Sequence, residues 1–285
     1  MAMITQRSLG SIGTKMDKID SITIGRFDGM HLGHKKLFER LNNGAVVVIE
    51  NHKATLTPGK RRECFSDLPL VYYEFEKIQR WSAKKFIQEL KKGFSNLKLI
   101  VVGNDFYFGF NKEASSADLK CYFDGEVEII DEFCIDDIGV HTSKIKEFFK
   151  NGNTTMANKF LGRSYTLVGE IIKGNGLGKK EFVPTLNLDT KGYFLPKEGV
   201  YATKTLIDNI SYKSVSFIGK RVSVDDEFSV ESHILEPFSG TKASRVELSF
   251  IDFMRDNHKF KTFSDLKEQI YKDIEMAKRI LEVER

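Results

Sequence analysis

Short apolar runs alternate with amphipathic stretches through the first half of the chain. Residues 21–25 (SITIG), 45–50 (AVVVIE), 70–75 (LVYYEF), 97–103 (LKLIVVG) and 126–131 (EVEIID) are rich in β-branched residues and predict five strands. Between them, a helical pattern runs from His34 to Leu41, and residues 82–92 (SAKKFIQELKK) form an amphipathic helix with Ser82 as N-cap. Strands this apolar, separated by helices, predict a parallel sheet covered on both faces. Ligands of such sheets sit outside the carboxyl ends of the strands. Two unusual segments fall at that edge: GRFDGMHLGHKKL (25–37) after the first strand and GNDFYFG (103–109) after the fourth.

The pattern changes further on. Two helical pieces occupy residues 143–162. Residues 165–253 then carry short alternating strands separated by turn residues, which predicts an antiparallel barrel or sandwich. A long helix ends the chain, with Ser264 as its cap and Leu266, Ile270, Ile274 and Ala277 along one stripe. The chain therefore reads as an α/β domain followed by a β domain closed by a helix.

Composition narrows the partners. A chain of 285 residues suits two domains, and a net charge of +4 against 44 basic and 40 acidic side chains gives no strong bias toward nucleic acid. Cys64, Cys121 and Cys134 are odd in number and lack metal-ligand spacing, so reduced thiols in a cytoplasmic protein are expected. No apolar run is long enough to span a bilayer, and the opening MAMITQRSLGSIGTK lacks a signal-peptide core and reads as a leader outside the fold.

A strand, then glycines, then a helix start can make a phosphate cradle. Gly29 and Gly33 let the backbone approach an anion. His31 and His34, three apart, can point to one side of the opening turn and donate hydrogen bonds to phosphate oxygens. A surface pair of histidines is the plainer alternative, but two imidazoles flanked by glycines directly after a buried strand favour the cradle. In the second half, Thr185 and Asn187 of PTLNL share one strand face and either offer hard oxygen ligands suited to Mg2+ or, as the spacing alone favours, form a plain polar face. The preceding GNGLGKK (174–180) is Gly-rich and basic, and either folds over phosphates or is a plain hairpin loop. Glu231, among apolar neighbours in VESHIL, is either a general base or part of a solvated strand face. Arg61 and Arg62 either hold a phosphate or form a solvated basic turn. Trp81 reads as a packing residue and His233 as structural.

A resemblance sharpens these alternatives. GRFDGMHLGH looks like the G-x-F-D-G-x-H-x-G-H signature of the prokaryotic bifunctional riboflavin kinase/FMN adenylyltransferases, with every fixed position present. ENHK (50–53) resembles the family's P-H-P segment without its prolines, GNDFYFG resembles G-x-D-F-x-F-G, and HTSKIK (141–146) resembles S-S-T-x-I-R with Lys146 in place of Arg. PTLN, LPKEGVY (195–201), the Glu-x-His of ESH and the segment around Arg255 resemble the kinase half.

The resemblance implies a Rossmann-like adenylyltransferase domain over 16–158 and a riboflavin kinase barrel over 159–285, closed by the C-terminal helix. It implies that ATP phosphorylates riboflavin to FMN, and that a second ATP adenylylates FMN to FAD with release of pyrophosphate. Implied site residues are His31, His34, Gly25, Phe27, Asp28, Gly29, Gly33, His52, Asp105, Phe106, Thr142, Ser143 and Lys146 for the second reaction. For the first they are Glu231 as base, Thr185 and Asn187 on Mg2+, and Gly174, Gly178, Lys179 and Arg255 around the nucleotide. Phe182 and Val183 stand where the family has Gly-Phe. A side chain at 182 restricts that loop and motivates an alternative, an adenylyltransferase whose impaired kinase half is a flavin-binding appendage. Small-molecule substrates are the expected partners, with no nucleic acid and no membrane; the oligomeric state is left open.

Overall fold

Five strands organise the first part of the computed structural model, which describes residues 16–173, 183–221 and 228–283. These are β1 (Ser21–Gly25), β2 (Gly44–Glu50), β3 (Leu70–Glu74), β4 (Leu99–Gly103) and β5 (Glu126–Ile130). All pair in parallel, in the order β3-β2-β1-β4-β5. The apolar runs are uninterrupted because both faces are covered. Ile22, Ile24, Val47, Ile100 and Val102 pack on one face with Phe86, Ile87 and Leu90. Val46, Val48, Leu70 and Val101 pack on the other with Leu37, Phe27 and Met30.

The helices follow from local chemistry. In α2 (Ala83–Gly93) the buried positions Ala83, Phe86, Ile87 and Leu90 recur at helical spacing, and the Ser82 hydroxyl accepts the Lys85 N–H at 3.3 Å, as the expected N-cap. Helix α1 (Leu32–Phe38) starts two residues before the expected His34, because the His31 side chain caps it. The chain runs outward from β1 through β2 to β3, then crosses back to place β4 beside β1. The boundary between β1 and β4 is therefore the switch point of the sheet, where the loops leaving the strand ends diverge and open a crevice.

The compact units divide between Thr142 and Ser143, earlier than the expected boundary at residue 158. Helices α3 (Thr142–Lys150) and α4 (Thr154–Leu161) precede the barrel. The shift has a packing cause. Phe149 lies 5.0 Å from Tyr165, and the Asn158 side chain accepts the Tyr165 N–H (2.8 Å) and donates to the Phe250 carbonyl (2.9 Å).

The second unit is a closed barrel rather than a sandwich. Its strands are β6 (Tyr165–Ile172), β7 (Leu186–Asp189), β8 (Gly199–Ile207), β9 (Ile210–Lys220), β10 (Phe228–Ile234) and β11 (Arg245–Asp256), ordered β6-β7-β10-β9-β8-β11 with β11 pairing back to β6. Alternation divides β8 into two faces. Val200 and Ala202 pack with Val215 against Ile274, Ala277 and Leu281 of α5 (Phe263–Val283). Thr203 and Thr205 point the other way and join Ser214, Ser216 and Ser232 in a buried chain of hydroxyls, each link 2.8 Å. Thr262, not Ser264, caps α5: its hydroxyl accepts the Asp265 N–H at 3.1 Å.

Candidate active sites

The loop leaving β1 is bent by three residues with positive φ: Phe27 (49°), Gly29 (89°) and Met30 (45°). Two of the three are not glycine, so the bend is strained and must be held from outside. Asp28 holds it. Its Oδ1 accepts the N–H groups of Leu56 (2.9 Å) and Thr57 (3.0 Å), and its Oδ2 that of Thr55 (3.2 Å). The Gly29 N–H donates to the Thr57 hydroxyl at 2.7 Å, and the Thr142 hydroxyl donates to the Asp28 carbonyl at 2.8 Å. Two loops of the first unit and the first residue of α3 are thus tied together at the carboxyl rim of the sheet. The Asp28 carboxylate fastens backbone, and the Thr142 hydroxyl fastens Asp28.

This knot presents the histidines. His31 is buried, its Nδ1 accepts the His34 N–H at 3.3 Å, and the two rings stack 3.5 Å apart at 20°. The Phe27 ring meets His34 edge-on at 5.1 Å. Gly33 permits the arrangement, since a Cβ there would lie 3.0 Å from the Val140 carbonyl oxygen and 3.2 Å from His31 Nδ1. Gly25 ends β1 and Gly103 ends β4, the adjacent strand. Asp105 is exposed just beyond Gly103, while Phe106 is half-buried and stacks on Phe108 at 5.7 Å. The imidazole pair and Asp105 therefore follow the two strands that flank the switch point.

His52 follows β2. It is exposed, has φ of 56°, and its N–H donates to Glu50 Oε1 at 2.8 Å. The other Glu50 oxygen accepts from Arg62 Nη1 at 2.6 Å, and Arg62 is fully buried. Arg62 is therefore not part of a solvated turn. Burial pushes the Glu50 carboxyl up, but the hydrogen bond and charge of Arg62 and the His52 N–H outweigh it and leave the group below the ordinary glutamate value. Ser143 and Lys146 open the second unit on α3, where the Lys146 ammonium lies 5.8 Å over the Phe194 ring. Trp81 packs against the core of the first unit, as expected.

In the barrel, Glu231 of β10 lies directly opposite Asn187 of β7. Glu231 Oε2 accepts the Thr185 hydroxyl at 3.2 Å. That bond uses the hydroxyl proton and leaves the Thr185 oxygen lone pairs for a cation. Glu231 Oε1 accepts the Ser229 hydroxyl at 3.0 Å and lies 3.6 Å from the Arg221 guanidinium. Ser229 and Arg221 are additions to the expected site; Ser229 is legible as the residue two before Glu231 on the same strand face. His233 Nδ1 bonds the Pro184 carbonyl at 2.7 Å and steadies the strand entry. Gly174, Gly178, Lys179 and Phe182 lie outside the described residues. Thr185 and Asn187 fit Mg2+, a hard cation that takes few protein oxygens. Among the described residues no cluster of three or more His, Cys, Asp or Glu is arranged to hold a metal.

Arg255 of β11 reaches α5. Its Nε and Nη2 pair bidentately with Asp273 of α5 at 2.9 and 2.7 Å, and Gln269 supports the same carboxylate at 2.9 Å. A further nitrogen donates to the Asp256 carbonyl at 3.0 Å. Arg255 clamps the terminal helix to β11.

A histidine pair at the switch point of a parallel sheet, followed by a barrel that pairs a carboxylate with a Thr-x-Asn oxygen set, defines a two-module phosphotransfer enzyme. Residues 161–281 match the riboflavin kinase family model and residues 14–57 the FAD synthetase model. A Haemophilus influenzae protein named bifunctional riboflavin kinase/FMN adenylyltransferase is 29% identical, over 90% of this chain and 93% of its own. An Escherichia coli K12 protein of the same name is 25% identical, over 88% and 90%. A solved structure from Streptococcus pneumoniae, named a macrolide-efflux protein, superposes with a TM-score of 0.80 at 28% identity, covering 94% of this chain and 96% of that one. In this chain no helix among the described residues is long and apolar enough to cross a membrane. The chain is thus similar, over most of its length, to bifunctional riboflavin kinase/FMN adenylyltransferases.

Proposed function

We propose that the chain makes FAD from riboflavin in two steps at separate sites. In the barrel, the riboflavin 5′-hydroxyl attacks the γ-phosphorus of ATP, its proton passes to Glu231, and ADP leaves. Thr185 and Asn187 hold Mg2+, which when bound neutralises phosphate charge. In the sheet unit, a phosphate oxygen of FMN attacks the α-phosphorus of a second ATP, and pyrophosphate leaves. His31 and His34 donate hydrogen bonds to the polyphosphate as charge builds on the leaving group. Asp105 and Phe106 flank the nucleotide or the flavin. No enzyme nucleophile is needed, because the substrates supply the attacking oxygens.

The observation that carries the reading is that one chain holds both assemblies: stacked imidazoles at the sheet's switch point, and Glu231 bonded to Thr185 across from Asn187. Free, exposed Cys64, Cys121 and Cys134 suit a reducing cytoplasm. Incubation with riboflavin and Mg-ATP, followed by chromatography, tests the reading. FMN followed by FAD is expected. FAD from supplied FMN, with no FMN from riboflavin, marks the appendage alternative.

A further inference from the structure

The strained turn before His31 is held not only by Asp28 but also by one hydroxyl that lies outside the sequence signature. Thr57 is buried, 1% exposed, on the loop between β2 and β3. Its Oγ1 accepts the Gly29 N–H at 2.7 Å and reaches the Phe27 carbonyl at 3.5 Å, so it touches the turn on both sides of Asp28. Its own N–H donates to Asp28 Oδ1 at 3.0 Å. Phe27, Gly29 and Met30 all have positive φ, which two L side chains adopt only when the surroundings enforce it. His31 follows Met30 directly, and His34 is tied to the turn through the edge contact with Phe27 at 5.1 Å. Any relaxation of the turn therefore moves both imidazoles.

The loop that carries Thr57 is itself braced. At one end Glu50 binds the His52 N–H and Arg62; at the tip Thr55, Leu56 and Thr57 donate to Asp28. Thr57 is thus a hydroxyl on a fixed support, aimed at the backbone of a turn that resists its own conformation. Removing it leaves the Gly29 N–H buried without this acceptor, and the turn gains by moving.

We infer that Thr57 is a positioning residue for adenylyl transfer: it acts through the 27–30 turn to hold His31 and His34 where the leaving pyrophosphate develops charge. This rests on the reading of the first unit as the adenylyltransferase. Positioning of this kind acts mainly in the transition state, because small displacements of a donor cost more there than in ground-state binding.

The test uses the full chain and measures FAD formation from FMN and Mg-ATP, with riboflavin phosphorylation in the same preparation as an internal control. Thr57→Val removes the hydroxyl at nearly constant shape, Thr57→Ser retains it, and Thr57→Ala serves if the valine variant does not fold. The expected result is a fall in kcat of about tenfold or more for Val or Ala. KM for ATP stays within roughly threefold, Ser recovers to within about threefold of wild type, and phosphorylation of riboflavin is unchanged. A Val or Ala variant within about twofold of wild type, a Ser variant as slow as Val or Ala, or a loss carried by KM overturns the inference. A wild-type chain that makes no FAD overturns the functional reading itself, and the Thr57 role with it.

Discussion

His31 caps the helix that carries His34: its Nδ1 accepts the His34 N–H at 3.3 Å, with the rings stacked 3.5 Å apart. A nitrogen that accepts carries no proton, so in the neutral ring the proton sits on Nε2, the nitrogen that would donate to phosphate in the proposed reaction. Cap and donor are separable by mutation. His31→Ala removes both, whereas His31→Asn supplies a good cap without the imidazole donor. Both variants are expected to lose FAD formation by about 100-fold or more while still making FMN from riboflavin. An active His31→Asn enzyme would mean that His31 serves only the helix.

Glu231 gives the converse split. Glu231→Gln keeps the shape and can accept from one of Thr185 and Ser229 through its carbonyl oxygen while its amide donates to the other, but it cannot take the hydroxyl proton. Riboflavin phosphorylation is expected to fall by about 100- to 10,000-fold, with conversion of supplied FMN to FAD intact. Parallel loss of both activities in the histidine and glutamate variants contradicts the division of labour.

The contrast between these residues and their charged neighbours shows what a sequence can display. The five sheet strands are legible because a sheet covered on both faces demands unbroken β-branched runs, as at Val46, Val47 and Val48. Spacing sets the faces of the histidine pair and of Thr185 and Asn187, whereas a site made of them and of Glu231 is what the family resemblance implies. The internal partners of Asp28, Arg62 and Arg255 are not legible, although each is a charged residue in or beside a motif. Those partners are remote in sequence: Leu56 for Asp28, Glu50 for Arg62 and Asp273 for Arg255. Thr57 gives no signal at all, because its importance comes from the strained φ angles of a turn 28 residues away.

Arg255 can be assigned by helix protection. If it clamps α5, Arg255→Ala leaves the buried Asp273 without its counter-charge and held only by Gln269, a loss of up to roughly 3–5 kcal/mol. Hydrogen exchange of the amides in Phe263–Val283 should then accelerate. Arg255→Lys should fall between, since an ammonium cannot make the bidentate pair. Unchanged exchange in α5 with a raised KM for ATP would return Arg255 to the nucleotide site.

The Glu50–Arg62 pair makes the first unit sensitive to acid. The folded carboxyl titrates below the ordinary value of 4.5, so between the two values the unfolded chain binds the extra proton. The stabilisation is fully present above the ordinary glutamate range and is lost as pH falls through the lowered value. Trp81, the sole tryptophan, packs against the core of this unit and reports its unfolding by fluorescence. Glu50→Gln should flatten the acid limb of the stability curve. It should also cost roughly 3–5 kcal/mol near neutrality, because the Arg62 guanidinium stays buried without its counter-charge. Glu50→Gln combined with Arg62→Met removes that stranded charge and should recover much of the loss, although His52 loses its carboxylate acceptor and the loop carrying Thr57 loses a brace. FAD formation should therefore recover less than stability in the double variant. If the single variant matches wild type in both neutral stability and acid slope, the pair is not what anchors the loop.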